Sequence, residues 1–327
     1  MTYLANNCCV SGASGFVGRA LCSFLQARDC RVTALIRKPA EGPWDDSIIT
    51  ELGHDGLSPA LFAGFDAVFH AAGLAHVFSV KKNADALYQT VNVQGSVVLA
   101  RAAAKAGVGS FVYFSSVKAM GDPGEHCVDE SWHVPPGDLY GVSKREAEAR
   151  VLQIGSDSGM RATVLRPALV YGPGVKGNLQ RMMVAVAKRR FPPVPEVGNR
   201  RSMVHVDDLA EAAWLAATLS GAANRIYIVS DGRHYSTHEI FKWMSEAFGR
   251  EMPSWALPVP LMRAGAVLGD VLERGIGLRL PLNSGVLRRL LGSACYRSDR
   301  IRRELGWQSH HHFREALPAM IAASRIR

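Results

Sequence analysis

Strand-like and helix-like patterns alternate through the first half of the chain. Cys8-Cys9-Val10 is a short apolar run ending at Gly12, and behind it Val17, Ala20, Leu21, Phe24 and Leu25 recur at helical spacing. Residues 31–36 (RVTALI) read as a second strand, 48–52 as a weak third and 67–72 as a fourth. A long helical pattern covers 84–106, a fifth strand 110–115, a helix 141–154 and a sixth strand 162–170. Strands alternating with helices of this length predict parallel βαβ units, hence an α/β fold with a doubly wound, Rossmann-like parallel sheet.

After Pro167 the texture changes. Tyr171-Gly172-Pro173-Gly174 and the proline-rich stretch 191–195 read as loops, and 225–230 as another strand. Ser236-Thr237-His238-Glu239 fits a capping box opening a helix, and 258–269 is apolar enough to predict a helix packed on something. With no repeat and no low-complexity linker, the expected division is a dinucleotide-binding domain at 1–170 and a smaller C-terminal substrate lobe at 171–327. The lobe is interleaved with the sheet, to which the strand at 225–230 returns.

Composition changes the picture in three places. At 48% hydrophobic and 20% charged, the 327 residues can build a sizeable core, which excludes wholesale disorder. No apolar run approaches the roughly 20 residues a spanning helix needs, and the first residues lack the features of a signal peptide. A cytoplasmic location with no stable membrane insertion is therefore expected. The net charge of +9 admits nucleic acid, an anionic membrane surface or a polyanionic small substrate. From Arg263 onward there are 12 Arg, no Lys and five acids, but these arginines alternate with core-type residues. No basic stripe interleaved with aromatics appears, so no nucleic-acid partner is expected.

The six cysteines form no C-x-x-C pair, and no Cys/His cluster has zinc spacing. Reduced core cysteines and no metal are the expectation. His310-His311-His312 reads as an exposed polar loop.

Three motifs carry chemistry. Gly12-Ala13-Ser14-Gly15-Phe16-Val17-Gly18 lies between a strand and an amphipathic helix, where glycines let a pyrophosphate approach the helix N-terminus. Its G-x-x-G-x-x-G spacing differs from the G-x-G-x-x-G of ordinary dehydrogenases. Tyr140 and Lys144 stand four residues apart on a helix, so phenol and ammonium converge, and the ammonium should pull the tyrosine pKa down. Ser115-Ser116 ends the fifth strand, at the sheet edge where ligands of open α/β folds bind.

Together these motifs resemble the extended short-chain dehydrogenase/reductase family, the epimerase/dehydratase group acting on nucleotide sugars. The resemblance extends through His70-Ala71-Ala72-Gly73, Asn92-Val93-Gln94-Gly95, Arg166-Pro167, residues 201–208 and Arg303-Glu304-Leu305-Gly306-Trp307. It implies a Ser116–Tyr140–Lys144 triad, with Ser116 favoured over Ser115 by its distance from Gly121. Residues 115–118, 170–178, 198–202 and 229–232 are similar to bacterial UDP-4-keto-6-deoxy-N-acetylhexosamine 4-reductases, which serve surface polysaccharide synthesis. Ser11 in place of Thr and Met120 in place of Tyr depart from the family pattern.

The resemblance implies a cofactor site at Gly12, Ser14, Gly15, Phe16, Val17, Gly18, Arg37, Ala71, Ala72, Tyr140, Lys144 and Pro167. Substrate would meet Ser116, Lys118, Asn178 and Arg201, the last two on the diphosphate. An NAD-selective site carries an acid at the end of strand two; here the stretch is Leu35-Ile36-Arg37-Lys38. NADP(H) is accordingly favoured, with NAD(H) as the alternative. The expected reaction is reduction of the C4 keto group of a UDP-sugar, with Tyr140 donating the proton. The rivals are a UDP-sugar 4-epimerase retaining NAD and, more remotely, a silent dinucleotide sensor; a homodimer is the assembly left open.

Overall fold

The computed structural model describes residues 5–53, 56–75, 84–276 and 282–324. Its strands are β1 (Asn7–Ser11), β2 (Arg31–Ile36), β3 (Asp46–Ile49), β4 (Ala67–His70), β5 (Ser110–Phe114), β6 (Cys127–Val128), β7 (Arg161–Pro167), β8 (Leu169–Tyr171), β9 (Met203–His205), β10 (Arg225–Val229) and β11 (Cys295–Tyr296). The helices are α1 (Phe16–Gln26), α2 (Ala84–Tyr88), α3 (Gly95–Lys105), α4 (Leu139–Ser158), α5 (Asn178–Ala187), α6 (Val206–Thr218), α7 (Thr237–Ala247), α8 (Val259–Ile276), α9 (Ser284–Leu291), α10 (Asp299–Leu305) and α11 (Phe313–Ser324).

Seven strands form one parallel sheet in the order β3-β2-β1-β4-β5-β7-β10, the doubly wound arrangement the alternating pattern predicts. Its inner strands are buried on both faces, which is why they read as continuous apolar runs, whereas the edge strand β3 is largely exposed and read weakly. One face packs Leu21, Cys22 and Leu25 of α1 and the alanine-rich side of α6; the other packs Leu99, Ala100 and Ala103 of α3 with Ala147 and Val151 of α4. Strand order reverses between β1 and β4, so a crevice opens beyond their carboxyl ends.

A further core joins Tyr171, Leu179 and Met183 to Ile240, Phe241 and Met244 of α7 and Phe313, Leu317 and Met320 of α11. The expected capping box is present at α7, where Ser236 and Glu239 bond each other's backbone N–H. β10 reaches back to the sheet beside β7.

Several boundaries differ from the sequence reading. The expected strand at 162–170 divides: β7 ends at Pro167 and β8 pairs with β9 in a separate two-stranded sheet. Proline supplies no N–H to continue the main ladder. The long helix is broken by a π-helical turn, Gln89–Gln94, before α3. α4 is longer than expected because Asp138 caps it, its side chain accepting the Gly141 N–H at 2.7 Å, and Gly159 in the left-handed region stops it.

The cysteine expectation holds for four residues and fails for two. Cys8, Cys9, Cys22 and Cys30 are buried and free, while Cys127 and Cys295 form a disulfide joining β6 to β11. The partners are 168 positions apart, a pairing that spacing alone does not reveal. The triple-histidine loop is also more ordered in its contacts than expected. The buried Asp208 carboxylate accepts the Ser309 hydroxyl and the backbone N–H of His310 and His311, and meets His311 Nδ1 at 2.6 Å. The His311 ring stacks on His205, yet His310 and His311 both remain exposed, His310 beside Glu211, so the loop is exposed as expected but anchored.

Candidate active site

The turn after β1 is shaped by what its glycines exclude. Gly12 has φ +73°, and a Cβ there would lie 2.6 Å from the Ala72 backbone nitrogen. A Cβ on Gly18 would strike the Gly12 carbonyl, so α1 packs directly on the turn. Gly15 is the N-cap of α1 and no acid occupies the first turn, leaving its N–H groups and dipole directed at the crevice. Ser14 is exposed there, and Phe16 and Val17 are part-buried, Phe16 against the cluster around Tyr171.

A buried chain of hydrogen bonds ties this turn to the rest of the crevice. Ser11 Oγ lies 2.5 Å from His70 Nδ1, and His70 Nε2 lies 2.8 Å from Ser96 Oγ. Because Ser96 donates its proton to the Asn92 carbonyl at 2.6 Å, His70 donates through Nε2 and accepts through Nδ1. Burial pushes His70 down to about 3, so the ring stays neutral. Asn92, inside the π turn, accepts the Leu74 N–H and donates to the Leu74 carbonyl and to Ser143 on α4. The ends of β1 and β4 are thereby fixed against the helix that carries Tyr140 and Lys144.

Lys144 is buried and donates to the Phe114 carbonyl at the end of β5, 2.7 Å away. A Cβ on Gly73 would lie 3.3 Å from its ammonium, which places Lys144 against the Ala71-Ala72-Gly73 segment. Burial pushes Lys144 down to about 8, with Glu148 opposing. Tyr140 is pushed up to about 12 by burial, opposed by a hydrogen bond with Ser116. The expected depression by Lys144 is absent: its ammonium is directed to the Phe114 carbonyl and over the Tyr113 ring.

The two serines have different jobs. Ser115 is buried with its hydroxyl on Glu148, whose carboxylate also takes a two-pronged bond from Arg166, at 2.9 and 2.6 Å. Ser116 is more open, caps the turn Val117–Met120 by accepting the Lys118 N–H, and reaches the Tyr140 phenol. Ser116 and Tyr140 thus meet beyond β5, with Lys144 against the ends of β4 and β5 and Pro167 buried at the end of β7. Met120 is buried among Val117, Val128, Ala168, Ile228 and Tyr296, an apolar wall below Ser116.

The remaining predicted contacts stand farther out on the chain. Lys118 is exposed on its turn, and Asn178 is the exposed first residue of α5, behind Gly177. Arg201 is part-buried, and its Nη1 donates to the carbonyls of Arg289 and Gly292. Arg37 is exposed just past β2. Arg19 reaches the same side, donating to the Glu41 carbonyl at 2.7 Å and lying over Trp44.

The sequence alone points to no role for Asn92, Ser143 or Glu148. Asn92 had a signal in its motif, but its bonds depend on a π turn that helical periodicity does not show.

Residues 8–230 match the NAD dependent epimerase/dehydratase family. Among curated proteins the chain is 32% identical over 308 residues to a UDP-glucose 4-epimerase of Vibrio cholerae, covering 91% of this chain and 89% of that one. It is 29% identical over 321 residues to the 4-hydroxy-2-methyl-3-oxo-4-farnesyl-3,4-dihydroquinoline-1-oxide ketoreductase of Stigmatella aurantiaca, covering 95% and 94%. The solved structure of MoeE5 with UDP-glucuronic acid and NAD shares the fold, with a TM-score of 0.78 at 23% identity over 98% of this chain and 99% of that one. With the glycine turn and the Ser–Tyr–Lys cluster at one sheet edge, this match places the chain in the NAD dependent epimerase/dehydratase family.

Proposed function

We propose that this protein is an NADPH-dependent reductase of the C4 keto group of a UDP-4-keto-6-deoxy-N-acetylhexosamine. The crevice fits a dinucleotide, since the Gly12 turn is a cradle that a Cβ would fill and α1 opens toward it without an acid. Gly12, Ser14, Gly15, Phe16, Val17, Gly18, Ala71, Ala72 and Pro167 would hold it, with Lys144 and Tyr140 at the nicotinamide end. When bound, the nicotinamide supplies hydride chemistry.

The observation that carries the reductase reading is the end of β2. Ile36 is buried, Arg37 and Lys38 are exposed, and no carboxylate stands where an NAD-selective site needs one. Arg37 and Arg19 there suit a 2′-phosphate. A cofactor selected by that phosphate is one drawn from the reducing pool, which suits a reductase better than an enzyme that keeps NAD.

The side chains divide the work. Tyr140, held protonated at neutral pH by burial, donates its proton to the C4 oxygen as charge develops there. Ser116 orients that oxygen and the phenol, and Lys144, against the Ala71-Ala72-Gly73 segment, is assigned to the dinucleotide. Lys118, Asn178 and Arg201 are assigned to the nucleotide-sugar, with Arg201 toward the diphosphate through the nitrogens not bonded to Arg289 and Gly292.

The second reading, a 4-epimerase, is favoured by the identity with the Vibrio cholerae enzyme. Purification separates the two. A reductase leaves the column without nicotinamide and consumes added NADPH in proportion to sugar, preferring it to NADH until Arg37→Ala erodes the preference about tenfold or less. Protein that carries NAD and turns over sugar with none added would establish the epimerase.

A further inference from the structure

We propose that the outward face of α8 is a docking surface for an anionic lipid bilayer. α8 has two apolar sides. Met262 and Ala266 are buried, packing with Leu287 of α9, and a Cβ on Gly269 would meet the Leu282 carbonyl, so this side is fully used. The other side has no partner among the described residues. Leu261, Ala264, Leu268, Val271 and Gly275 recur at three- and four-residue steps and are all exposed, with Val267 beside them and Trp255 just ahead of the helix.

Trp255, Leu261, Val267, Leu268 and Val271 are 56–61% exposed, five of the thirteen large exposed apolar residues described. Scattered apolar residues need no explanation, whereas a stripe along one helix indicates an occupant.

Charge identifies the occupant. Arg263 and Arg274 are exposed on α8 and fall together along one flank of the stripe, by helical geometry of about 100° per residue. Arg288 and Arg289 are exposed on the neighbouring α9. The two acids of α8 are part-buried, and Asp270 is turned to the seam with α9, where it accepts the Ser284 N–H at 3.2 Å. The outward surface is thus apolar with one cationic flank, on which Arg274 is partly offset by Asp270 and Arg263, among the described residues, is not. A second copy would bring arginines against arginines, whereas acidic headgroups complement them. An apolar stripe, a leading tryptophan and an arginine flank are what a helix lying in the headgroup layer requires. No helix of the described residues is long and apolar enough to cross a membrane, so the contact is interfacial and reversible. It does not depend on the reaction assigned above.

The test is flotation of the full chain with vesicles of phosphatidylcholine alone and of phosphatidylcholine with roughly one-third phosphatidylglycerol. The protein should float with the anionic vesicles and remain below with the neutral ones. Leu268→Glu with Val271→Glu, and separately Arg263→Glu with Arg274→Glu, should each lower the bound fraction about tenfold with an unchanged thermal melt. Three results would overturn the proposal. One is failure to float with either vesicle. Another is flotation unaffected by the apolar double variant, which would show general attraction of a basic protein. The third is a dimer, dissolved by that variant, in protein that does not float.

Discussion

At the scale of single residues, Tyr140 and Ser116 are set apart from their neighbours by what their hydroxyls are free to do. Ser115 is bonded to Glu148 and Tyr113 is wholly buried, whereas Ser116 and Tyr140 face each other at the crevice. Tyr140→Phe should therefore lower turnover by roughly 10²–10⁴ while cofactor affinity and melting temperature stay close to wild type. Single-turnover rates and dinucleotide titration would check this, and near-normal turnover would remove Tyr140 from the chemistry.

Lys144 gives the pH behaviour its sign. Burial lowers it to about 8, so the ammonium is intact below that pH and loses its charge above it. A dinucleotide that relies on this cation should bind progressively more weakly as pH rises through about 8 to 9, and kcat/KM for the cofactor should fall in the same window. Lys144→Met should bind weakly at every pH and flatten the profile. Affinity in the wild type that is level to pH 9.5 would rule out a binding role for the charge.

These residues were legible in the sequence because their motifs are local: Tyr140 and Lys144 are one helical turn apart, and the glycines lie within seven positions. The pKa of Tyr140 was not legible. Spacing brings the ammonium near the phenol but does not show that it is directed to the Phe114 carbonyl.

At the scale of elements, the sheet followed from the apolar runs, and the departures occur where local chemistry interrupts a period. Pro167 ends β7 early, Asp138 starts α4 early, and the π turn breaks the helix between α2 and α3. The π turn is the departure that bears on the site. It turns Asn92 inward, where its side chain joins the segment after β4 to α4.

Asn92→Ala would leave the Leu74 N–H without its acceptor and remove two donated bonds. The expected cost is about 1–3 kcal/mol of stability, with weaker dinucleotide binding because Leu74 follows the Ala71-Ala72-Gly73 segment. Urea unfolding and cofactor titration would show both effects. A stability loss with unchanged affinity would confine Asn92 to holding the fold.

At the scale of the whole molecule, contacts between distant segments were the least legible. Asp208 gathers residues about a hundred positions away, so local polarity shows that the histidine loop is exposed but not what anchors it. The Cys127–Cys295 bond likewise joins the strand after the Ser116 turn to the strand after α9. It closes a long loop, and its removal should cost about 2–5 kcal/mol in oxidised protein. Thermal melts with and without dithiothreitol should differ in the wild type and coincide in Cys127→Ser. Identical wild-type melts would mean that the bond contributes nothing to stability.

On the proposed function, Tyr140 is the proton donor in an NADPH-driven reduction at C4 of a nucleotide sugar. Its most direct test is to supply a UDP-4-keto-6-deoxy-N-acetylhexosamine with NADPH deuterated at the transferable position, and to follow the sugar by NMR. The account predicts deuterium on C4 of a 6-deoxy product, one equivalent of NADPH oxidised per sugar, and almost no product from Tyr140→Phe. Interconversion of C4 epimers of a UDP-hexosamine without added cofactor, and with no deuterium incorporated, would contradict it.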